Sequence, residues 1–144
     1  MAKTQNFDNH TRWFPLQHFI IVPLLILLLI YRLIRFYQLP DVENAVWIGV
    51  VILLAFVSLS ARLQALKVQD RLIRLEEKLR YRELLAPELC TRADALTLEQ
   101  IIALRFAGDD ELANLAERTI AGELKTPTEI KMAVKSWRAD YLRA

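Results

Sequence analysis

Hydrophobic positions along the chain fall into two regimes. Across residues 19–31 every position is apolar, aromatic or proline, and a helix-compatible continuation extends this run to about 15–37. A helix rising ~1.5 Å per residue needs about 20 residues to cross a hydrocarbon core ~30 Å thick, so the run predicts a transmembrane span. A second run, 45–61, is interrupted only by Gly49, Ser58 and Ser60, small residues that membrane helices tolerate. With its flank it predicts a second span over about 43–61. After residue 61 continuous apolarity gives way to spacing: Ala65, Val68, Leu72, Leu75 and Leu79 recur every three or four positions, as on one stripe of a helix.

Between the spans lies only the turn 38–44, with Pro40, Asp41 and Glu43, which makes the two helices antiparallel neighbours and puts both chain ends on one side. Seven Lys/Arg occupy residues 62–82, and Lys3 and Arg12 lie on the amino-terminal tail (1–14), so the positive-inside bias predicts cytoplasmic termini. Trp13, Phe14 and His18 at the start of the first span, Tyr31, Phe36 and Tyr37 at its far end, and Trp47 opening the second are placed as interface anchors. Arg32 and Arg35 stand near the outer end of the first span. They either snorkel to headgroups or pair with a partner subunit, Asp41 or Glu43. A cleaved signal peptide is disfavoured because no small-residue cleavage site follows the apolar run. Burying 24–30 on all sides would also be hard for a soluble chain this small.

No glycine or proline interrupts 62–86, which predicts that the second span continues as a stalk helix, with Asp70–Arg74 and Glu76–Arg80 spaced for i,i+4 pairs. The apolar stripe must be covered by the carboxy-terminal helices, a partner protein or the bilayer surface. Its two heptads are too few to specify a coiled coil by themselves. Pro87 ends the stalk, and 87–96 reads as a linker. Three helices then follow over 97–144. The first is capped by Thr97 with Gln100 and stops at Gly108; the second starts at Asp109 or Asp110 and stops near Gly122; the third starts at Thr126-Pro127 with Glu129 and runs almost to the end. Leu98, Ile101, Ile102, Leu104, Phe106, Leu112, Leu115, Ile120, Ile130, Val134 and Trp137 are the expected bundle core. The fold class is therefore all-α: a two-span membrane hairpin, a cytoplasmic stalk and a small three-helix bundle.

Composition agrees with this reading. The 144 residues are 54% hydrophobic, too apolar for an ordinary small globular domain, and 19 Lys+Arg against 17 Asp+Glu leave a net charge of only +2. Residues 97–144 carry seven basic and eight acidic side chains, which excludes the electrostatic footprint of nucleic-acid binding. Three glycines and no phosphate-cradling motif argue against nucleotide binding. One cysteine, Cys90, and two histidines leave no disulfide framework or zinc ligand set. Haem or pigment ligation by His18 is disfavoured beside its role as a polar anchor, and His10 reads as a solvated or partner-contacting residue. Asn9-His10-Thr11 matches a glycosylation acceptor without meaning on a cytoplasmic tail. No acid or asparagine lies in the interiors of the spans to build a transport site, Pro23 could kink the first, and Ala45 with Gly49 forms one small-x-x-x-small pattern.

The segments H-T-R-W-F-P-L-Q-H-F (10–19), K-V-Q-D-R-L-I-R-L-E-E-K-L-R (67–80), T-L-E-Q-I-I-A-L-R-F-A-G-D-D-E-L (97–112) and E-I-K-M-A-V-K-S-W-R-A-D (129–140) together resemble an uncharacterised family of small two-span bacterial membrane proteins, some labelled transporter permease. The resemblance implies the same topology in a bacterial inner membrane and transfers no catalytic or binding residues. The expected role is a non-enzymatic accessory or scaffold subunit of a larger membrane complex, first of all a photosynthetic or respiratory one. Its partners would be other integral membrane subunits and lipid, with no cofactor beyond bound lipid. The competing expectation is a self-associating transport or regulatory component.

Overall fold

The computed structural model describes residues 5–9 and 13–140. Lys3 and Arg12, which bear on the expected topology, and His10 and Thr11 of the tail lie outside the described residues. The chain divides into two compact units, one of residues 13–66 and one of 67–140 with 5–9. All regular structure among the described residues is helical.

In the first unit a π-helical stretch, Leu16–Ile21, leads into α1, Val22–Gln38. Pro23 lies at the junction. Its ring has no N–H to donate and would press on the carbonyl four residues back, and the wider π turn gives that backbone room. After Leu39 and Pro40 the chain turns into α2, Val42–Leu84. The break is shorter than the 38–44 turn expected, because Asp41 caps α2: its Oδ1 accepts the backbone N–H of Asn44 at 2.7 Å, and the Asn44 amide returns a bond to the carbonyl of Leu39 at 3.1 Å. The chain thus has two helices long and apolar enough to cross a membrane, Leu16–Gln38 and the apolar half of α2. Within their most apolar stretches none of the first and only 6% of the second is buried, unlike the core helices of a soluble protein.

In the second unit α2 continues without a break to Leu84. The segment 87–96, expected as a linker, instead holds α3, Pro87–Ala93. Pro87 ends one helix and opens the next, since a proline at the first helical position loses no hydrogen bond, and Leu89 and Ala93 then share a buried face. Next come α4, Leu98–Leu104, α5, Leu112–Ile120, and α6, Pro127–Ala133. Thr97–Gln100 and Thr126–Glu129 form reciprocal capping boxes. At the end of α5 the N–H of Gly122 bonds to Thr119 O and that of Glu123 to Arg118 O, a Schellman closure in which Gly122 has φ 80°.

Two expected boundaries move. The helix expected to reach Ala107 ends at Leu104, and the next begins at Leu112, two residues beyond Asp110. The last helix stops at Ala133, not near the terminus, because residues 134–140 leave the helix to lie along 105–108. Ala107 and Trp137 form an antiparallel bridge, and the Arg138 N–H donates to Phe106 O at 2.8 Å. The core of this unit joins Ile101, Leu104, Leu112, Leu115, Ile130 and Val134 to Tyr81 of α2, to Leu85 just past its end, and to Leu89, Ala93, Leu96 and Leu124. Phe106 is fully buried with Trp137 packed on it at 5.0 Å between ring centroids, while Leu98, Ile102 and Ile120 are half-buried.

Candidate functional site

A set of charges is gathered where the helical module meets α2. Ile73, Glu77, Arg80 and Tyr81 form one face of that helix, and all four are buried. Arg80 is its centre: Nη2 lies 2.6 Å from Asp109 Oδ1 and donates to the carbonyl of Ala107 at 2.7 Å, while Nη1 donates to Glu77 Oε2 at 3.2 Å. The other oxygen of Glu77 accepts from Arg138 at 3.1 Å. Arg105 Nε stands 3.2 Å from Asp140 Oδ2, and its guanidinium lies 4.3 Å from the Phe106 ring centroid. Glu77, Arg105, Arg138 and Asp140 line a cleft with Ile73, Glu76 and Ala139.

Burial raises the pKa of the Glu77 carboxyl above its ordinary 4.5, against the pull of Arg80, Arg138 and Arg105. Burial and the neighbouring Glu77 charge raise the Tyr81 phenol as well, and its hydroxyl has no hydrogen-bond partner among the described residues. The network is thus held at a desolvation cost. What it secures is the seating of residues 105–109 and 134–140 on α2. Glu111 adds a clasp, accepting from the backbone N–H groups of Lys135 and Ser136, the latter at 2.9 Å.

The apolar stripe expected to be covered by the carboxy-terminal helices, a partner protein or the bilayer surface lies on the opposite face of α2. Ala65 is exposed, and Val68, Leu72, Leu75 and Leu79 are 66%, 53%, 57% and 51% exposed. The carboxy-terminal helices do not cover them. Apolarity alone pointed to the stripe, but Arg80 can reach three acceptors only from the other face, and Ile73 and Tyr81 bury there with it. For the same reason Arg80 pairs with Glu77, not with Glu76 at i,i+4, and the expected Asp70–Arg74 pair is not among the ion pairs of the described residues. A charge at i,i+3 sharing a face with an isoleucine and a tyrosine was the available signal for the true packing side.

In the apolar hairpin, Gln17 Nε2 donates to Ser58 Oγ at 2.8 Å, a polar tie between its two helices. His18 holds the carbonyl of Phe14 through Nδ1 at 2.9 Å and meets the edge of Trp13 at 4.9 Å between centroids. Arg32 is not paired with Asp41 or Glu43; its guanidinium stands over Trp47 at 4.6 Å and Tyr31 at 5.6 Å. Arg35, Phe14, Phe36 and Tyr37 are exposed, as are Trp13, Tyr31 and Trp47. Cys90 is a half-buried free thiol, and no group of three metal-ligating side chains occurs among the described residues.

These features define a class: an all-helical chain that joins two potential membrane spans to a compact helical module. Over residues 1–144 it matches the model of a family of unknown function (DUF6526), and the chain belongs to that family. No curated protein and no solved structure matches it.

Proposed function

We propose that the protein is a non-catalytic accessory subunit, a membrane-anchored scaffold that binds within a larger assembly of the bacterial inner membrane. The observation that carries this reading is the division of its surface. Arg80, Glu77, Arg105 and Asp140 are turned inward to hold the module on α2, whereas the apolar faces of both spans and of the stalk point outward. Exposed apolar surface of this extent marks lipid or protein contact. The basic run over 62–82 supports a cytoplasmic position for the module and both termini. In this arrangement the spans lie against partner helices and lipid, Trp13, Arg32 and Trp47 set depth, and the module covers the partner's inner face. Photosynthetic and respiratory complexes are the first assemblies to search.

The test is to solubilise native membranes in mild detergent, separate them by size and follow this chain by mass spectrometry. Co-migration with a fixed set of larger polypeptides is the expected result, and migration alone at small mass overturns the reading. The heptad-like spacing of the stalk stripe favours a second reading, a self-associating transport or regulatory component. That reading requires ion or solute flux from the purified chain.

A further inference from the structure

The uncovered face of α2 has a more specific address than an apolar patch. Val68, Leu72, Leu75 and Leu79 follow 4–3–4 spacing on an unbroken helix, the d, a, d and a positions of a heptad. The helical module is packed on the opposite side through Ile73, Glu77, Arg80 and Tyr81, which leaves the seam itself open. The flanking charges then decide what can occupy it. Arg71 and Lys78 take the g positions, and Glu76 and Glu83 the e positions that follow them.

We propose that this face is a homodimer seam, on which a second copy of the chain pairs as a parallel, in-register two-stranded coiled coil. In that register each g residue faces the e residue of the next heptad across the seam. Arg71 meets Glu76 of the second copy, Lys78 meets Glu83 of the second copy, and symmetry repeats both pairs. An antiparallel arrangement would instead set Arg71 and Lys78 against each other, and Glu76 against Glu83, so the charges select one direction. Arg71, Glu76 and Glu83 are exposed and enter no ion pair among the described residues. Lys78 already holds Asp94 at 2.7 Å, and an ammonium with three donors can take a second carboxylate.

The inference rests on the membrane-anchor reading in one respect. Two copies inserted alike in one bilayer present their stalks side by side in the same direction, which is the direction the charges require. Confinement also raises the effective concentration, so a seam of two heptads, ended by Arg82 at the next d position, is long enough.

The experiment uses the full chain with Cys90→Ser, reconstituted in phospholipid vesicles and mildly oxidised after a single cysteine is placed in turn at Val68, Leu72, Leu75, Leu79 and the exposed control position Arg74. Disulfide dimers at the four seam positions, roughly tenfold above Arg74→Cys, are expected. Equal yields at all five positions, no dimer, or Val68–Leu79 mixed cross-links exceeding like-with-like ones overturn the proposal. With Leu72→Cys as reporter, Arg71→Glu with Lys78→Glu should lower the yield about tenfold, and adding Glu76→Lys with Glu83→Lys should restore it. Failure of the second pair to restore it overturns the charge register, since a variant that merely loses Asp94 or misfolds is not rescued. A dimer of the purified chain without a larger native complex sinks the accessory-subunit reading and leaves this one standing; a native complex holding one copy does the reverse.

Discussion

Glu77 on α2 and Arg138 in the carboxy-terminal segment are 61 positions apart in the chain and meet at 3.1 Å. Glu77 is 4% exposed, so its charge is taken out of water for contacts with Arg138 and Arg80. The pair joins the end of the module back to the helix on which the module is built. Its worth lies in positioning as much as in energy, because Glu77 gives up its hydration for a partner whose own side chain stays half exposed.

Removing one partner is different from replacing the pair. Arg80→Ala removes a guanidinium donor from both buried Glu77 and the Ala107 carbonyl. A cost of about 3 kcal/mol is expected, in the range for breaking a buried pair. Amide hydrogen exchange in α4, at Ile101 and Leu104, should quicken by roughly a hundredfold if the module opens as one unit. Unchanged exchange there would show that the network does not hold the module.

Two carboxyls should give pH dependences of opposite sign. Glu77 titrates above its ordinary 4.5 in the folded state because burial penalises its anion. Its contribution to stability is full below the unfolded value and is lost as pH rises from 4.5 through the raised folded value. Glu129 titrates below 4.5 because the backbone N–H groups of Thr126 and Lys125 bind its anion, so its contribution is present above 4.5 and lost as pH falls. Exchange compared at each pH between the wild-type chain and Glu77→Gln or Glu129→Gln cancels the intrinsic rate. The wild-type advantage should shrink with rising pH for the first variant and with falling pH for the second.

Gly108 and Gly122 should fail for different reasons. A Cβ on Gly108 would stand 2.5 Å from Asp110 Oδ1, 2.7 Å from Ser136 Oγ and 2.9 Å from Ser136 Cβ, so Gly108→Ala pushes residues 134–140 off the bundle. Overpacking of this kind costs about 1–3 kcal/mol, and proteolysis should quicken first around Trp137. At Gly122 nothing crowds the added methyl, but φ is 80°. Gly122→Ala should cost about 1–2 kcal/mol from backbone strain alone and leave the 134–140 segment protected.

Within the hairpin, the Gln17–Ser58 bond at 2.8 Å is a side-chain tie on otherwise apolar helices. A double-mutant cycle of Gln17→Ala and Ser58→Ala in lipid should give a coupling of about 0.6 kcal/mol, in line with measured interhelical bonds in membranes. A coupling of zero would show that the two helices are held by packing alone.

The sequence by itself determined the local grammar: two runs apolar on every side, the threonine capping boxes at Thr97 and Thr126, and the glycine stop at Gly122. Each depends on neighbours within a few positions, so periodicity and capping chemistry suffice to read it. It also supplied most of the module's core, including Ile101, Leu112 and Ile130, because these positions are apolar at helical spacing. What it could not decide was which face of α2 the module takes. Both faces carry apolar residues, and the choice fell to Arg80, whose acceptors Asp109 and the Ala107 carbonyl lie 29 and 27 positions away. Helix α3 was hidden for a similar reason, since Pro87 serves equally to end one helix and to begin another. The arrest of the last helix at Ala133 depends on Glu111 and Phe106 receiving the chain that follows. Only the tertiary structure settles such questions, because a buried charge and a long-range backbone bond are stable only where the partner is already in place.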